Sequence, residues 1–335
     1  MNCDEPEVKE MLANINTSEL KMLIGNNRII VIDEAQRVSE IGLTLKRITD
    51  NFTNVQLLVT GSSSFELQSN LSEPLTGRKY EYHLYPISTA ELYDSQGLLP
   101  VKQMFESRLI YGSYPDIINH TDEAKELLMN IANSYLYKDL LAMNEIRRPI
   151  LLEKLLIALA LQVGSEVSYN EVAQTIGTDN KTVEKYIDLL EKCYVIFRLN
   201  AFNRNLRTEL KKSKKIYFYD NGIRNAVIQN FAPLSLRQDT GALWENFFIS
   251  ERIKANHYNG NYAKSFFWRT TQQQEIDYIE EADGNFTAFE MKWNPNKRPI
   301  TFPSPFLNNY PVKETVVITP ENYLEWVMYC LLYTS

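Results

Sequence analysis

The chain of 335 residues is long enough for roughly two or three domains, and 44% hydrophobic with 23% charged residues is an ordinary globular composition. Its net charge of −7 excludes binding of nucleic acid by overall charge, so any such contact needs a local basic patch. Cys3, Cys193 and Cys330 lie far apart, which predicts reduced thiols and argues against a disulfide framework or a cysteine-based zinc site.

The sequence shows neither a signal peptide nor an apolar run of membrane-spanning length. We therefore expect a cytoplasmic protein without a membrane partner. His83, His120 and His257 lack the spacing of metal ligands, so we interpret them as structural histidines. The oligomeric state stays open.

The first distinctive stretch covers residues 29–36, where four β-branched residues run directly into Asp33 and Glu34. An apolar run without alternation predicts a strand covered on both faces, as in a parallel sheet. Ligands of such sheets gather at the carboxyl ends of the strands. In a nucleoside triphosphatase the first acid holds Mg²⁺ and the second polarises the attacking water. The alternative interpretation is a simple acidic end to a buried strand.

The following elements predict a parallel α/β order. Residues 40–52 have helical spacing, and residues 55–60 form a second apolar run that ends in Gly61 and a series of serines. A strand, helix, strand order with polar clusters at both strand ends is typical of a parallel sheet. The serine hydroxyls can bond a phosphate or an attacking water, or cap the next helix. A further, alternating strand is predicted over residues 80–84.

Four motifs in this order and spacing resemble the ATPases of the AAA+ superfamily that carry a C-terminal domain of unknown function, DUF4143. The motifs are Asp33-Glu34-Ala35-Gln36, Thr60-Gly61-Ser62-Ser63, Gly77-Arg78 and Tyr85-Pro86-Ile87-Ser88. The resemblance implies that Asp33 is the Walker B magnesium residue and Glu34 the catalytic glutamate. It also implies that Ser62 takes the sensor-1 position. Arg78 would be a phosphate-sensing or finger arginine, unless it is an ordinary surface arginine.

The sequence departs from this family at the phosphate-binding loop. Phosphoryl transfer in the class needs a glycine-rich loop with a lysine, and no glycine of this chain is followed by lysine. The sequence therefore resembles a family member that begins after its P-loop. We expect ATP binding only if a P-loop is supplied, and no ATP hydrolysis by this chain alone. The strand over residues 55–60 would then have an unpaired edge.

Residues 96–163 are predicted as a helical segment, with helices over residues 101–111, 123–141 and 150–163. No chemistry is assigned to this segment. A helix-turn-helix pattern follows. Ser168 caps a helix that reaches residue 176, Gly177 makes the turn, and residues 180–193 form the second helix. Strands are predicted over residues 194–202 and 215–219.

The segment between these two strands is the most basic stretch of the chain, so the whole resembles a winged helix with a basic wing. DNA binding would place the second helix in the major groove and the wing on phosphates. The candidate contacts are Lys181, Thr182, Lys185, Arg207, Lys211, Lys212, Lys214 and Lys215. The alternative is a winged helix that binds a protein partner.

The last third predicts a helix over residues 244–255 and a hairpin in which Asp277 is followed by Glu290 and Lys292. This spacing resembles the PD-(D/E)xK nucleases. Alternation places Glu290 and Lys292 on one face, and an adjacent strand can bring Asp277 beside them. The resemblance implies that Glu245, Asp277 and Glu290 hold Mg²⁺ and that Lys292 orients the water or offsets negative charge. The alternatives are a surface hairpin or a nuclease-like fold without cleavage.

The predicted fold class is α/β and multidomain. Residues 1–95 would form an incomplete parallel AAA+-like sheet, 96–163 a helical segment, 164–236 a winged helix-turn-helix and 237–335 a PD-(D/E)xK-like α/β domain. The leading functional prediction is an ATPase-family protein associated with DNA. The alternatives are a metal-dependent DNA nuclease and a non-catalytic module that binds DNA or protein.

Overall fold

The computed structural model describes residues 1–61, 75, 77–136, 148–202, 214–294 and 300–328. The chain divides into two compact units. The first comprises residues 1–84 with 192–194, and the second comprises residues 85–191 with 195–335. Both combine helices with strands, so the α/β fold class is confirmed at that level. Within the described ranges, each helix is too short or too polar to cross a bilayer.

The first unit is a small parallel α/β layer. Its helices are α1 (Pro6–Asn14), α2 (Thr17–Ile24) and α3 (Ile41–Asn51), and its strands are β1 (Ile29–Ile32) and β2 (Gln56–Val59). Asn16 and Glu19 form a capping box that starts α2, because each side chain satisfies a backbone amide of the first turn. The two strands pair in parallel from Ile29 opposite Gln56 to Ile32 opposite Val59, as predicted.

The expectation that β1 is covered on both faces is wrong. Ile30 and Ile32 are buried, whereas Ile29 is 63% and Val31 46% exposed. Successive strand residues point to opposite faces, and the buried face belongs to the same core as residues of α1, α2 and α3. Leu58 of β2 is also 48% exposed. The two-stranded sheet therefore presents an open apolar face within the described part of the first unit.

The predicted strand over residues 80–84 is not formed. These residues have no regular secondary structure, and Tyr80, Tyr82 and Leu84 are each more than 80% exposed. A strand is stabilised by ladder hydrogen bonds to a neighbour, and in the described ranges β1 is the strand paired with β2. Alternation alone is therefore insufficient to make residues 80–84 a strand.

The second unit contains twelve of the labelled helices in its described residues. They are α4 (Thr89–Gln96), α5 (Leu98–Gln103), α6 (Phe105–Tyr111), α7 (Pro115–Asn119), α8 (Ala124–Asn130), α9 (Pro149–Leu161), α10 (Tyr169–Ile176), α11 (Asn180–Lys192), α12 (Asn221–Val227), α13 (Thr240–Tyr258), α14 (Ser304–Asn309) and α15 (Leu324–Val327). The single helix predicted over residues 101–111 is wrong, because α5 and α6 meet at Met104.

A seven-stranded mixed sheet organises the second unit. Its strands are β3 (Glu166–Val167), β4 (Ile196–Ala201), β5 (Lys214–Phe218), β6 (Lys264–Arg269), β7 (Glu275–Ala282), β8 (Asn285–Met291) and β9 (Val312–Ile318). They lie in the order β3-β5-β4-β6-β7-β8-β9. The pairs β4–β6 and β8–β9 are parallel, and the other pairs are antiparallel.

The sheet continues across the domain boundary predicted between residues 236 and 237. Asn200 and Ala201 of β4 pair with Phe266 and Phe267 of β6 across that boundary. The strands assigned to the winged helix and those assigned to the nuclease-like hairpin therefore belong to one continuous sheet. A side chain from one segment can consequently reach a site in the other.

Helix α13 is the central element of the second unit. Most of its residues are buried, including polar ones, so its side chains must find partners inside the protein. Asn246 donates to the Phe218 carbonyl over 3.0 Å and accepts from the Phe218 amide over 2.7 Å, which ties α13 to β5. Arg252 forms a bidentate pair with Glu280 of β7, at 2.9 and 2.8 Å. These bonds fix the position of Glu245 on the same helix.

Candidate functional site

The β7–β8 hairpin brings Asp277 and Glu290 side by side. Tyr278 pairs with Phe289 in the antiparallel register, so the residues just outside that pair are cross-strand neighbours. Asp283 and Gly284 both have positive φ, which suits a tight hairpin turn with the twist of the strands. The hairpin predicted from the sequence is thus present, and its register places the two acids together.

Lys292 completes this part of the site. Its Nζ lies 2.8 Å from Glu290 Oε2 and 3.6 Å from Asp277 Oδ2. The backbone amide of Met291 donates to the same Asp277 oxygen over 3.0 Å. The Lys292 side chain is 37% exposed, whereas Asp277 and Glu290 are 16% and 12% exposed. The three predicted side chains therefore form one cluster with a lysine at its accessible side.

Glu245 enters from α13 and has other immediate partners. Tyr217 donates its hydroxyl to Glu245 Oε1 over 2.6 Å, and Lys215 Nζ lies 3.2 Å from the same oxygen. Lys215 also pairs with Glu275 Oε1 at 2.6 Å. A Cβ at Gly164 would lie 3.4 Å from Glu245 Oε1, so the backbone before β3 approaches closely. Glu245 is therefore held by residues that precede the hairpin by about sixty positions.

Burial and crowding of negative charge raise the pKa values of two carboxyl groups here. Burial raises the pKa of Glu245 to about 7, and Asp277 adds to this increase against the opposing effect of Lys215. Burial, with Asp277 again contributing, raises the pKa of Glu290 to about 7. A positive charge added nearby would consequently favour the ionised form of both carboxyl groups and lower their pKa values.

The neighbouring acids also raise the pKa values of the two lysines, which favours the charged form of each. Burial by itself would lower the pKa of Lys215, but Glu245, Asp277 and Glu275 outweigh it and raise that pKa. Burial would likewise lower the pKa of Lys292, yet Asp277 and Glu290 raise it above its ordinary value. Both ammonium groups are therefore charged near neutral pH.

The donor set fits a divalent cation in charge and chemistry. Four carboxylates, Glu245, Glu275, Asp277 and Glu290, surround the ammonium groups of Lys215 and Lys292. Because the pKa values of Glu245 and Glu290 are raised to about 7, these groups are only partly ionised at neutral pH, and a bound Mg²⁺ would favour their charged form. Carboxylate oxygens are also its preferred ligands.

The predicted metal ligands do not form one close group. No three His, Cys, Asp or Glu side chains of the described ranges are grouped closely enough to hold a metal ion. Asp277 and Glu290 form an adjacent pair, and Glu245 lies with Lys215 and Tyr217. In this structure Asp277 and Glu290 are therefore adjacent, whereas Glu245 lies next to them with other partners. Metal binding by the three acids stays a prediction.

The structure contradicts the assignment of Lys215 to an exposed wing. Its side chain is only 2% exposed and is engaged by Glu245 and Glu275, so it cannot lie on a DNA phosphate. Lys214 is half-buried, and its Nζ lies 5.3 Å from the centroid of the Tyr169 ring. The cause is the pairing of β5 with both β3 and β4, which places the start of β5 inside the sheet.

The other predicted nucleic-acid contacts are only partly located. Lys181 and Lys185 are exposed on α11, at the start of the second predicted helix. The backbone amide of Thr182 donates to Asp179 Oδ1 over 2.9 Å, in the manner of a helix cap, and its hydroxyl donates to Asp179 Oδ2 over 2.7 Å. Arg207, Lys211 and Lys212 lie outside the described residues.

The first unit places its two acids at the end of β1 and a threonine at the end of β2. Thr60 donates its hydroxyl to Asp33 Oδ1, and the Ala35 amide donates to the Thr60 carbonyl over 3.0 Å. Glu34 takes a left-handed backbone conformation with φ of 54°, and its Oε2 accepts from Gln36 Nε2 over 2.7 Å. Burial raises the pKa of Glu34, against that hydrogen bond. The acidic pair and a hydroxyl thus meet at one sheet edge.

Two further residues predicted for this nucleotide site lie apart from that group. Arg78 forms an exposed ion pair with Asp50, near the end of α3. This agrees with the alternative of an ordinary surface arginine, although its role in phosphate sensing stays a prediction. Ser62 lies outside the described residues.

Sequence reasoning missed Tyr217 and Glu275 and gave Lys215 a different role. A partial signal existed, since Glu275 and Asp277 are two residues apart on β7 and therefore share a face. Lys215 and Tyr217 are likewise two apart on β5. The missing information was that both strands belong to one sheet.

Comparison with known protein families divides the chain into three matched regions. Residues 1–93 match the AAA domain family, residues 102–234 match a domain of unknown function, DUF8612, and residues 240–328 match a domain of unknown function, DUF4143. An AAA domain at the N-terminal end and DUF4143 at the C-terminal end fit an AAA-like ATPase family, which confirms that part of the resemblance. Lys215 and Tyr217 fall in the middle region, whereas Glu245, Asp277 and Glu290 fall in the last.

The curated relatives are uncharacterized proteins from distant organisms. One from Haemophilus influenzae is 28% identical over 209 residues, covering 59% of this chain and 52% of the relative. One from Mycobacterium tuberculosis is 26% identical over 278 residues, covering 81% and 60%. One from Methanocaldococcus jannaschii is 24% identical over 295 residues, covering 81% and 64%. The chain thus spans about half to two thirds of the length of these relatives.

Proposed function

We propose that the second unit hydrolyses phosphodiester bonds of DNA with the help of a divalent metal ion. The observation that carries this proposal is the convergence of Asp277, Glu290 and Lys292 from neighbouring strands into one cluster. When bound, Mg²⁺ would supply Lewis-acid polarisation and a more acidic water. Asp277 and Glu290 would hold the ion, since they form the adjacent carboxylate pair.

Lys292 would act on the substrate side of the site. Its ammonium group is the more exposed of the two site lysines and is already held by both acids. A positive group fixed in this position can orient the attacking water or offset charge that develops on the phosphate oxygens. Glu245, held by Lys215 and Tyr217, would contribute negative charge next to the pair.

DNA is the proposed substrate because basic residues are concentrated in two segments of the second unit. Lys181 and Lys185 are exposed on α11, and the sequence joining β4 to β5 contains Arg207, Lys211 and Lys212. In a chain with a net charge of −7, phosphate binding requires basic residues that are concentrated locally, as they are in this part of the sequence.

The test is nicking of supercoiled plasmid by the intact chain with Mg²⁺ or Mn²⁺. We expect metal-dependent nicking that Asp277→Asn and Lys292→Met each lower at least 100-fold. Lys264→Ala is the matched control, because Lys264 is an exposed lysine of the neighbouring strand β6. Equal nicking by all four proteins would mean contamination, and its absence in all would leave the non-catalytic binding module.

A second candidate function concerns the first unit. The meeting of Asp33, Glu34 and Thr60 at the ends of two parallel strands favours a magnesium-nucleotide site of the ATPase type. We propose that this unit needs a separate glycine-rich loop to bind ATP, because no glycine in the sequence is followed directly by a lysine. Micromolar ATP binding to the chain alone in calorimetry would contradict this.

A further inference from the structure

Lys215 is a buried cation inside the candidate site. Its side chain is 2% exposed, and its Nζ lies between Glu245 of α13 and Glu275 of β7, at 3.2 and 2.6 Å. The ring of Phe267 lies on another side, with its centroid 5.5 Å from Nζ. A buried ammonium group is costly unless it is paired, so these contacts determine where Lys215 can reside.

The position of Glu245 depends on this lysine. One oxygen, Oε1, receives both the Lys215 ammonium group and the Tyr217 hydroxyl. That oxygen is therefore engaged on the side facing β5. Asp277 and Glu290 instead contact Lys292, so the two lysines make their direct contacts with different pairs of carboxylates.

The charge of Lys215 also limits how many cations the site can take. A site with two metal ions would need carboxylates for each. The buried ammonium group already occupies the space between Glu245 and Glu275, whereas Asp277 and Glu290 are paired with Lys292, whose side chain is 37% exposed, so a metal ion can approach that pair from solvent. Like charges repel strongly in a poorly solvated site, so a second divalent ion beside Lys215 would be disfavoured.

We propose that Lys215 is a positioning residue that holds Glu245 beside the Asp277–Glu290 pair and thereby restricts the site to one divalent cation. This inference rests on the proposed function. It also means that the site is incomplete within residues 240–328, because Lys215 and Tyr217 come from β5. Glu245 is then a neighbouring charge and not a metal ligand.

The first experiment counts Mn²⁺ ions bound to the intact chain, by calorimetry and by electron paramagnetic resonance. We expect one ion for the unaltered protein and for Lys215→Arg, which keeps the charge. Lys215→Met should bind two, because Glu245 loses its cation and Glu275 keeps the more distant Arg269 guanidinium, at 3.6 Å. The double variant Lys215→Met with Glu245→Gln should return to one. Two ions on the unaltered protein, or one on Lys215→Met, would overturn the proposal.

A second variant keeps the proposal testable if Lys215→Met does not fold. Glu245→Gln should weaken Mn²⁺ binding about tenfold, as expected for a residue outside the metal's own ligands. Complete loss of Mn²⁺ binding in Glu245→Gln would make Glu245 a ligand and refute the positioning role. Retention of the fold by Glu245→Gln is checked by its melting temperature.

The two proposals can fail separately in these experiments. One bound Mn²⁺ without plasmid cleavage would refute the nuclease function and leave the role of Lys215 intact. Metal-dependent cleavage with two bound ions would refute the role of Lys215 alone. Absence of any Mn²⁺ binding to the unaltered protein would overturn both.

Discussion

The two acidic sites of this protein differ mainly in how far their carboxylates are removed from water. In the first unit Asp33 is exposed at a strand end, with a threonine hydroxyl as its side-chain partner. In the second unit Asp277 and Glu290 are largely buried and share the ammonium group of Lys292. Similar residue types therefore have different electrostatic surroundings.

The difference shows how exposure to water changes the interactions between acidic side chains. Water screens charges at an exposed strand end, so the carboxylate of Asp33 interacts only weakly with neighbouring charges. In a buried cluster the same charges interact strongly, and the pKa values of Glu245 and Glu290 rise to about 7 despite two lysines. The buried site consequently attracts a cation more strongly than the exposed one.

Removing a buried ammonium group should have the largest effect. We expect Lys215→Ala to lower the free energy of unfolding by about 4 kcal/mol, because Glu245 and Glu275 lose their buried partner. Arg78→Ala, which ends the exposed pair with Asp50, should change it by less than about 1 kcal/mol. Urea unfolding of both variants measures this difference. Equal losses of unfolding free energy would contradict the contrast between a buried and an exposed ion pair.

The next effect concerns chemistry at the two sites. Asp277→Asn should lower metal-dependent plasmid nicking about 100-fold, which corresponds to about 2.7 kcal/mol in the activation barrier. Asp33→Asn should leave the rate within about twofold, because Asp33 belongs to the other unit. A similar loss in both variants, measured with supercoiled plasmid, would show that the two sites do not act independently.

Acid should destabilise the second unit through Glu251. Burial would raise the pKa of Glu251, but Lys254 and Arg108 outweigh it and lower the pKa to about 2. Because this folded-state value lies below the ordinary 4.5, the stabilisation is complete above pH 4.5 and is lost as the pH falls towards 2. We expect a loss of about 2 kcal/mol between pH 5 and pH 3.

The measurement is urea unfolding of the intact chain at these two pH values, compared with Glu251→Gln. The variant cannot ionise at this position, so its stability should depend less steeply on pH. An identical slope in both proteins would mean that Glu251 does not carry the acid sensitivity.

The smallest effect tests the exposed site itself. Thr60→Val removes the hydroxyl that donates to Asp33, and we expect a loss of about 1 kcal/mol in unfolding free energy. Thr49→Val, which removes a threonine hydroxyl bonded within α3, is the control for the substitution. A loss above about 3 kcal/mol would show that Asp33 is as tightly integrated as the acids of the second unit.

Local pattern was sufficient for several parts of the fold and the site. The adjacent Asp283 and Gly284 specified a hairpin turn, and the spacing from Asp277 to Glu290 then placed the two acids opposite each other. Likewise, the side chain of Ser168 accepts the Glu171 amide at the start of α10, as predicted. Such features depend on residues that are close in sequence.

The features that sequence reasoning missed depend on residues that are distant in sequence. Residues 80–84 alternate as a strand should, but they have no paired neighbour among the described residues. The open face of β1 likewise reflects which helices cover it, and the run of β-branched residues carries no information about that.

Local sequence patterns were therefore enough to select the residues of the two acidic clusters, namely Asp33, Glu34, Asp277, Glu290 and Lys292. The burial of Lys215, by contrast, depends on strands that are distant in the chain. The pairing of β4 with β6 joins segments 66 residues apart, from Asn200 to Phe266, into one sheet. Within that sheet β5 pairs with both β3 and β4, so Lys215 is buried, and Glu245 and Glu275 compensate its charge as a buried lysine requires.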